Sequence, residues 1–214
     1  MYSVSAIDND SLRFQEQLSQ AISILKQGGI IAFPTDTVYG LGVASDNTSA
    51  IERIYQVKKR SKRLPIPLLV ANEWQLRGAV KSIPKIAKVL IKEFYPGPLT
   101  LVFHKSNEIP DIITAGRDTV AIRIPAHPVP IALASGLGAP ITGTSSNLSG
   151  KPSQLTVTEV RAQLGDKLDM ILETDQPLSG IASTIVDVTG KVAKILREGA
   201  IPRERLEQVL GNVI

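Results

Sequence analysis

The sequence predicts an α/β protein with one twisted sheet that mixes parallel and antiparallel strands, flanked by helices. Three observations carry this. Some windows place apolar residues at helical spacing, others are short β-branched runs, and the two kinds alternate along the chain. Near the end, two such runs flank a tight turn that only antiparallel neighbours accept, whereas the alternation elsewhere implies crossovers.

In order, "NDSLRFQEQLSQAISILKQGG" sets Phe14, Leu18, Ile22 and Leu25 on one helical face, with Asp10 or Ser11 as cap and Gly28-Gly29 as stop. "IIAF" is a buried strand ended by Pro34, and the polar turn "PTDTVYGLG" follows. A helix over about 48–57, a strand in "IPLLVA", a helix over about 84–94 and a strand in "LTLVFH" continue the alternation. "TVAIRIP" and "APITGT" read as strands flanking a helix over about 129–135, and 156–164 reads as a helix. "TIVDV", the turn Thr189-Gly190-Lys191 and "VAKILR" form a hairpin, and a helix over about 203–210 closes the chain.

At 214 residues and 43% hydrophobic, the chain can bury a full core, and it reads as one domain over 1–214 without repeat or linker. Twenty-four Lys+Arg against 20 Asp+Glu leave +4, a mild excess that permits an anionic ligand without demanding a nucleic-acid surface. Zero cysteines exclude disulfides, thiolate nucleophiles and Cys-ligated metals, and two histidines, His104 and His127, argue against a histidine-rich metal site. The N-terminal segment has neither a basic region nor an apolar core, and no window reaches about 18 apolar residues, so the expectation is a soluble cytoplasmic protein with no membrane partner.

Three familiar nucleotide and hydrolase motifs fail. "GTSSNLSGK" spaces its glycines too widely for a phosphate-binding P-loop and puts Pro152 where a hydroxyl should meet magnesium. "GLGVAS" has Ser45 at the third glycine of a dinucleotide fingerprint, and "GTSSN" has Asn147 where a nucleophile elbow needs glycine.

What remains is four polar segments at strand ends: "PTDTVYGL", "KKR", "TSSNLSG" and "GIASTIVD". Hydroxyls with Lys and Arg, and no acid–base dyad, suit a site that grips a polyphosphate and positions reactants. Each segment also fits an ordinary turn, and the run "KKRSKR" with Tyr55 beside it also fits an RNA-backbone contact. His127, between prolines in "IPAHPVP", reads as a structural imidazole bonded to backbone.

Taken in order, "FPTDTVYGLG", "KKRSKRLPIPLLV", "YPGPLTLVF", "VAIRIPAHP", "TSSNLSGKPS", "STIVDV" and "ILREGAI" resemble the YrdC-like family of threonylcarbamoyl-adenylate synthases over about residues 15–202. The resemblance implies a concave basic face and an enzyme that joins L-threonine, bicarbonate and ATP, with magnesium, into threonylcarbamoyl-AMP and pyrophosphate. The product would pass to the threonylcarbamoyl transferase machinery that modifies tRNA. Residue by residue, Lys58 and Arg60 match the family's Lys-x-Arg element and Ser145 and Asn147 its Ser-x-Asn element, all four converging on phosphates. Thr119, Ser153 and Arg197 would join Lys58, Arg60 and Ser145 around ATP, while Thr37, Arg123, Gly143 and Ser183 would meet threonine. No residue is an evident covalent nucleophile.

Two departures accompany the match. Leu64 and Leu69 stand where many members carry a polar residue and a histidine, which removes one threonine contact. The chain also ends soon after "ILREGAI", as in a short form without the extra C-terminal domain. Two alternatives follow: a non-catalytic RNA-binding paralogue, and a related carbamoyl-transfer module that accepts a different acyl partner.

Overall fold

The structure, a computed structural model, describes residues 9–174 and 176–214. Helix α1 (Asn9–Lys26) takes in both Asp10 and Ser11, the expected caps, whose side chains lie outside the described residues. It buries Leu18, Ala21 and Leu25, and Gly28 turns the chain at φ +81°, where a Cβ would be strained.

Strands β1 (Ile31–Phe33) and β2 (Gly40–Gly42) form a hairpin around the "PTDTVY" turn, and β2 was not anticipated because three residues show no period. Helix α2 (Thr48–Val57) starts at Asn47, whose side chain accepts from the Ala50 N–H at 2.9 Å, and buries Ala50, Ile51, Ile54 and Tyr55. After β3 (Leu68–Leu69) comes the unanticipated α3 (Glu73–Ala79), begun by an Asn72 cap, then α4 (Lys85–Phe94) and β4 (Leu99–His104). A short α5 (Asp111–Thr114), β5 (Thr119–Arg123) and α6 (Pro128–Leu137) follow.

"APITGT", read as one strand, is two: β6 (Ile141–Thr142) and β7 (Thr144–Ser145), in different sheets. Gly143 is the step between them. A Cβ there would come within 2.4 Å of the Leu69 side chain, so only glycine lets the chain pass. Helix α7 (Val157–Leu164) carries a Thr156–Glu159 capping box, followed by a 3₁₀ turn (Gly165–Lys167) and β8 (Met170–Ile171). Strands β9 (Thr184–Asp187) and β10 (Lys194–Arg197) form the expected antiparallel hairpin, and α8 (Arg203–Leu210) comes last.

The strands divide into two mixed sheets where one was expected: β7-β2-β1-β8, and β10-β9-β4-β5-β3-β6. An Ala44–Ile141 bridge and the Thr142 N–H to Val43 carbonyl bond join them. The main core packs Leu99, Leu101 and Phe103 of β4, Val120 and Ile122 of β5 and Val186 of β9 against helices. A second core packs α1 and α6 on Ile31, Phe33, Leu69 and Ile141. Among the described residues, no helix is long and apolar enough to cross a membrane.

Candidate active site

Strands β9, β4 and β5 lie side by side, and their side chains alternate between two faces. One face feeds the main core. The other presents Ser183, Ile185 and Asp187, then Thr100 and Val102, then Thr119, Ala121 and Arg123, as the floor of a cavity of about 550 Å³. The segment 35–40 and residues 143–145 supply further walls. Among the described residues, four arginines line the cavity (Arg60, Arg117, Arg123 and Arg197) against one carboxylate, Asp187, so the concavity is basic.

Arg123 is 5% exposed and bonded through all three of its nitrogens, which leaves two of its five N–H groups unspent. Its Nε donates to the Gly97 carbonyl at 2.9 Å, one terminal nitrogen to Thr37 Oγ1 at 2.9 Å, and the other pairs with Asp36 at 2.5 Å. Thr35 Oγ1 accepts the N–H groups of Thr37 and Val38, which fixes the turn that carries Asp36 and Thr37. A planar guanidinium held on three sides is oriented before any ligand arrives.

The basic run is placed by the end of α2. The Lys59 N–H donates to the Gln56 carbonyl and the Arg60 N–H to the Tyr55 carbonyl, the paired bonds of a Schellman motif, with Lys59 at φ +48° where glycine is usual. That left-handed turn separates the cations. Lys58 points into the protein at 1% exposure, Arg60 reaches the cavity, and Lys62 stays outside in an ion pair with Glu52. Arg60 donates to the Leu64 and Pro65 carbonyls, and burial pulls its pKa below the usual arginine range.

Lys58 Nζ meets three oxygens: the carbonyls of Ser145 and Asn147, the latter at 2.6 Å, and Asn147 Oδ1 at 3.5 Å. Burial, and then the neighbouring Arg60, push its pKa down to about 7. Asn147 is 7% exposed; its amide donates to the Leu148 and Lys151 carbonyls, and its oxygen accepts the Ser145 hydroxyl. Across the cavity, Arg197 donates twice to the Ser183 carbonyl and once to its hydroxyl, and that hydroxyl also contacts Thr100 Oγ1 at 2.8 Å. Burial and repulsion from Arg123 lower the Arg197 pKa, so an anion between these guanidiniums would relieve both. Tyr39, also a lining residue, is kept a neutral phenol by burial, its pKa raised to about 12.

Of the eleven residues singled out from sequence, the fold brings nine to the cavity: Thr37, Arg60, Thr119, Arg123, Gly143, Ser145, Ser153, Ser183 and Arg197. Lys58 and Asn147 stand behind it. Leu69 lines the cavity over Gly143, whereas Leu64 is 47% exposed. His127 caps α6 through Nδ1, which accepts the Val129 N–H at 3.2 Å, in keeping with a structural imidazole. Sequence reasoning missed Asp36, Thr100, Arg117 and Asp187. Strict alternation in "LTLVFH" and "TIVDV" could have flagged Thr100 and Asp187, but nothing local announces Asp36 as the partner of Arg123.

Residues 23–199 match the Sua5/YciO/YrdC family model, described as "Telomere recombination". The chain belongs to this family. It is 39% identical over 193 residues to a threonylcarbamoyl-AMP synthase of Pyrococcus abyssi, covering 90% of this chain and 57% of that one. A putative threonylcarbamoyl-AMP synthase of Mycobacterium tuberculosis is 36% identical over 191 residues, covering 89% of this chain and 88% of the relative. The crystal structure of P. abyssi Sua5 complexed with L-threonine superposes with a TM-score of 0.90 at 37% identity, covering 94% of this chain and 59% of that one. The chain thus spans a little over half the length of the P. abyssi relatives.

Proposed function

We propose that the chain makes L-threonylcarbamoyl-AMP and pyrophosphate from L-threonine, bicarbonate and ATP, for tRNA modification by a downstream transferase. One observation carries the proposal: residues from seven separate segments that match the synthases meet at a single basic cavity. Family membership and the threonine complex of the P. abyssi relative support the same reading.

In this reading Arg123, Thr37 and Ser183 hold threonine, with Asp36 fixing the guanidinium so that the substrate carboxylate meets a set plane. The threonine amine attacks bicarbonate, a C–N bond forms and water leaves. A carbamate oxygen then attacks the α-phosphorus, and the bond to pyrophosphate breaks. Arg60, Arg197, Thr119, Ser145 and Ser153 surround the phosphates, and their fixed charge and donors offset the negative charge that builds during transfer. Magnesium enters with ATP as part of the substrate, and Asp187 is the lining carboxylate available to it.

Incubating the protein with MgATP, bicarbonate and either L-threonine or L-valine, and measuring pyrophosphate and adenylate mass, tests this. Threonine-dependent pyrophosphate with a threonylcarbamoyl-AMP mass is the expected result. ATP binding with neither product would return the RNA-binding paralogue, and threonine-independent adenylate chemistry the carbamoyl-transfer module.

A further inference from the structure

We infer that Lys58 is a positioning residue for loop 145–151 rather than a ligand of the phosphates, an inference that rests on the ATP site proposed above. Three observations converge. The side chain is 1% exposed and does not line the cavity, although Arg60, two residues on, does. Its Nζ is surrounded by three oxygens of one loop, and an ammonium has three N–H donors to give. The backbone repeats the link in reverse, because the Ser149 N–H donates to the Lys58 carbonyl at 2.9 Å.

The functional logic is electrostatic. A carbonyl oxygen aimed into a phosphate site repels the ligand, and a buried carbonyl left without a partner is costly. Lys58 draws the Ser145 and Asn147 carbonyls to a point outside the cavity, so the loop keeps these acceptors away from phosphate while Ser145 itself lines the cavity. Asn147 completes the frame through the Leu148 and Lys151 carbonyls. Of the Lys-x-Arg and Ser-x-Asn pairs, one member each faces ligand and the other holds the frame: Arg60 and Ser145 outward, Lys58 and Asn147 behind.

The first test uses the unaltered protein: reductive methylation of lysines, read by mass spectrometry with and without MgATP. Lys58 should stay unmodified in both conditions while Lys62 reacts in both. Lys58 that reacts freely without nucleotide and is shielded by MgATP would overturn the inference. The second test compares amide hydrogen exchange over 145–151 in the ligand-free protein and in Lys58→Met and Lys58→Arg. The expected result is about tenfold faster exchange in Lys58→Met, with partial recovery in Lys58→Arg, and an ATP KM that rises while binding of L-threonine changes less than about twofold. Unchanged exchange together with lost ATP binding would make Lys58 a direct ligand. Equal loss of ATP and threonine would make it a general packing residue. If Lys58→Met does not fold, the methylation result decides. Both labelling readouts are taken without substrate turnover, so a protein that makes no threonylcarbamoyl-AMP would sink the proposed activity and leave the role of Lys58 separately decided.

Discussion

Arg123 and Lys58 are both nearly inaccessible cations beside one cavity, 5% and 1% exposed, yet they are compensated in opposite ways. Arg123 faces a carboxylate, Asp36, as well as a hydroxyl and a carbonyl. Lys58 faces carbonyl and amide oxygens, which are dipoles without net charge. A formal counter-charge lets a cation sit at a wall and still present a rigid donor surface to a ligand. Dipoles alone leave the ammonium destabilised by burial, and its whole donor set is spent on the loop it holds. The difference separates a cation that can recognise from a cation that supports.

The strongest way to break this contrast is to remove one member of the charged pair. Asp36→Ala should leave an uncompensated guanidinium, with side-chain exposures of 6% for Arg123 and 15% for Asp36. We expect a loss of about 3–5 kcal/mol in denaturant unfolding. A loss near that of an exposed ion pair would show that Asp36 does not balance Arg123.

A smaller effect should separate the inward and outward cations of the basic run. Arg60→Ala should weaken ATP binding by about 1.5–3 kcal/mol, as loss of charged hydrogen bonds does. Lys62→Ala, which breaks only an ion pair whose lysine is 62% exposed, should cost under about 0.5 kcal/mol. Calorimetric titration with ATP compares the two, and equal losses would sink the division between them.

The turn that divides the run supplies a gain. Lys59 holds the left-handed position of a Schellman motif, so Lys59→Gly should stabilise the protein by about 1 kcal/mol, read as a higher denaturant midpoint. A loss would mean that the lysine side chain contributes something the turn geometry does not reveal.

The gentlest test concerns His127, a buried base without a hydrogen-bond partner for Nε2 among the described residues. Burial lowers its pKa below the ordinary 6.5 in the folded protein, with Asp36 opposing that shift. The unfolded chain therefore takes up a proton first as pH falls. The stability this residue contributes is present above pH 6.5 and declines as pH drops below it toward the folded-state value. His127→Asn, which keeps a capping oxygen for the Val129 N–H, should show a shallower decline in unfolding free energy between about pH 7 and 5. Parallel declines would remove His127 from the acid response.

Much of this was legible beforehand. The amphipathic windows of α1, α2, α4, α7 and α8 and the β-branched runs of β4, β5 and β9 announce themselves because 3.6- and 2-residue periods record which face is buried. All eleven candidate residues came from motifs whose order survives in the linear chain, and nine of them line one cavity. The unanticipated β2 and β8 are two or three residues long, too short to carry a period, and exist because β1, lying between them, offers hydrogen bonds along both of its edges. The split of "APITGT" rests on the contact between Gly143 and Leu69, 74 residues away in sequence.

By itself, then, the sequence determined the class of fold, the order of most elements and which polar and basic side chains were candidates for a site, because those depend on local periodicity and residue chemistry. Only the tertiary structure decided which cation faces the cavity and which stands behind it. Asp36 meets Arg123 across 87 residues of chain, and Lys58 meets Ser145 across another 87. Partners that distant leave no local trace, since each is selected by how two sheets and the turns between them close in space.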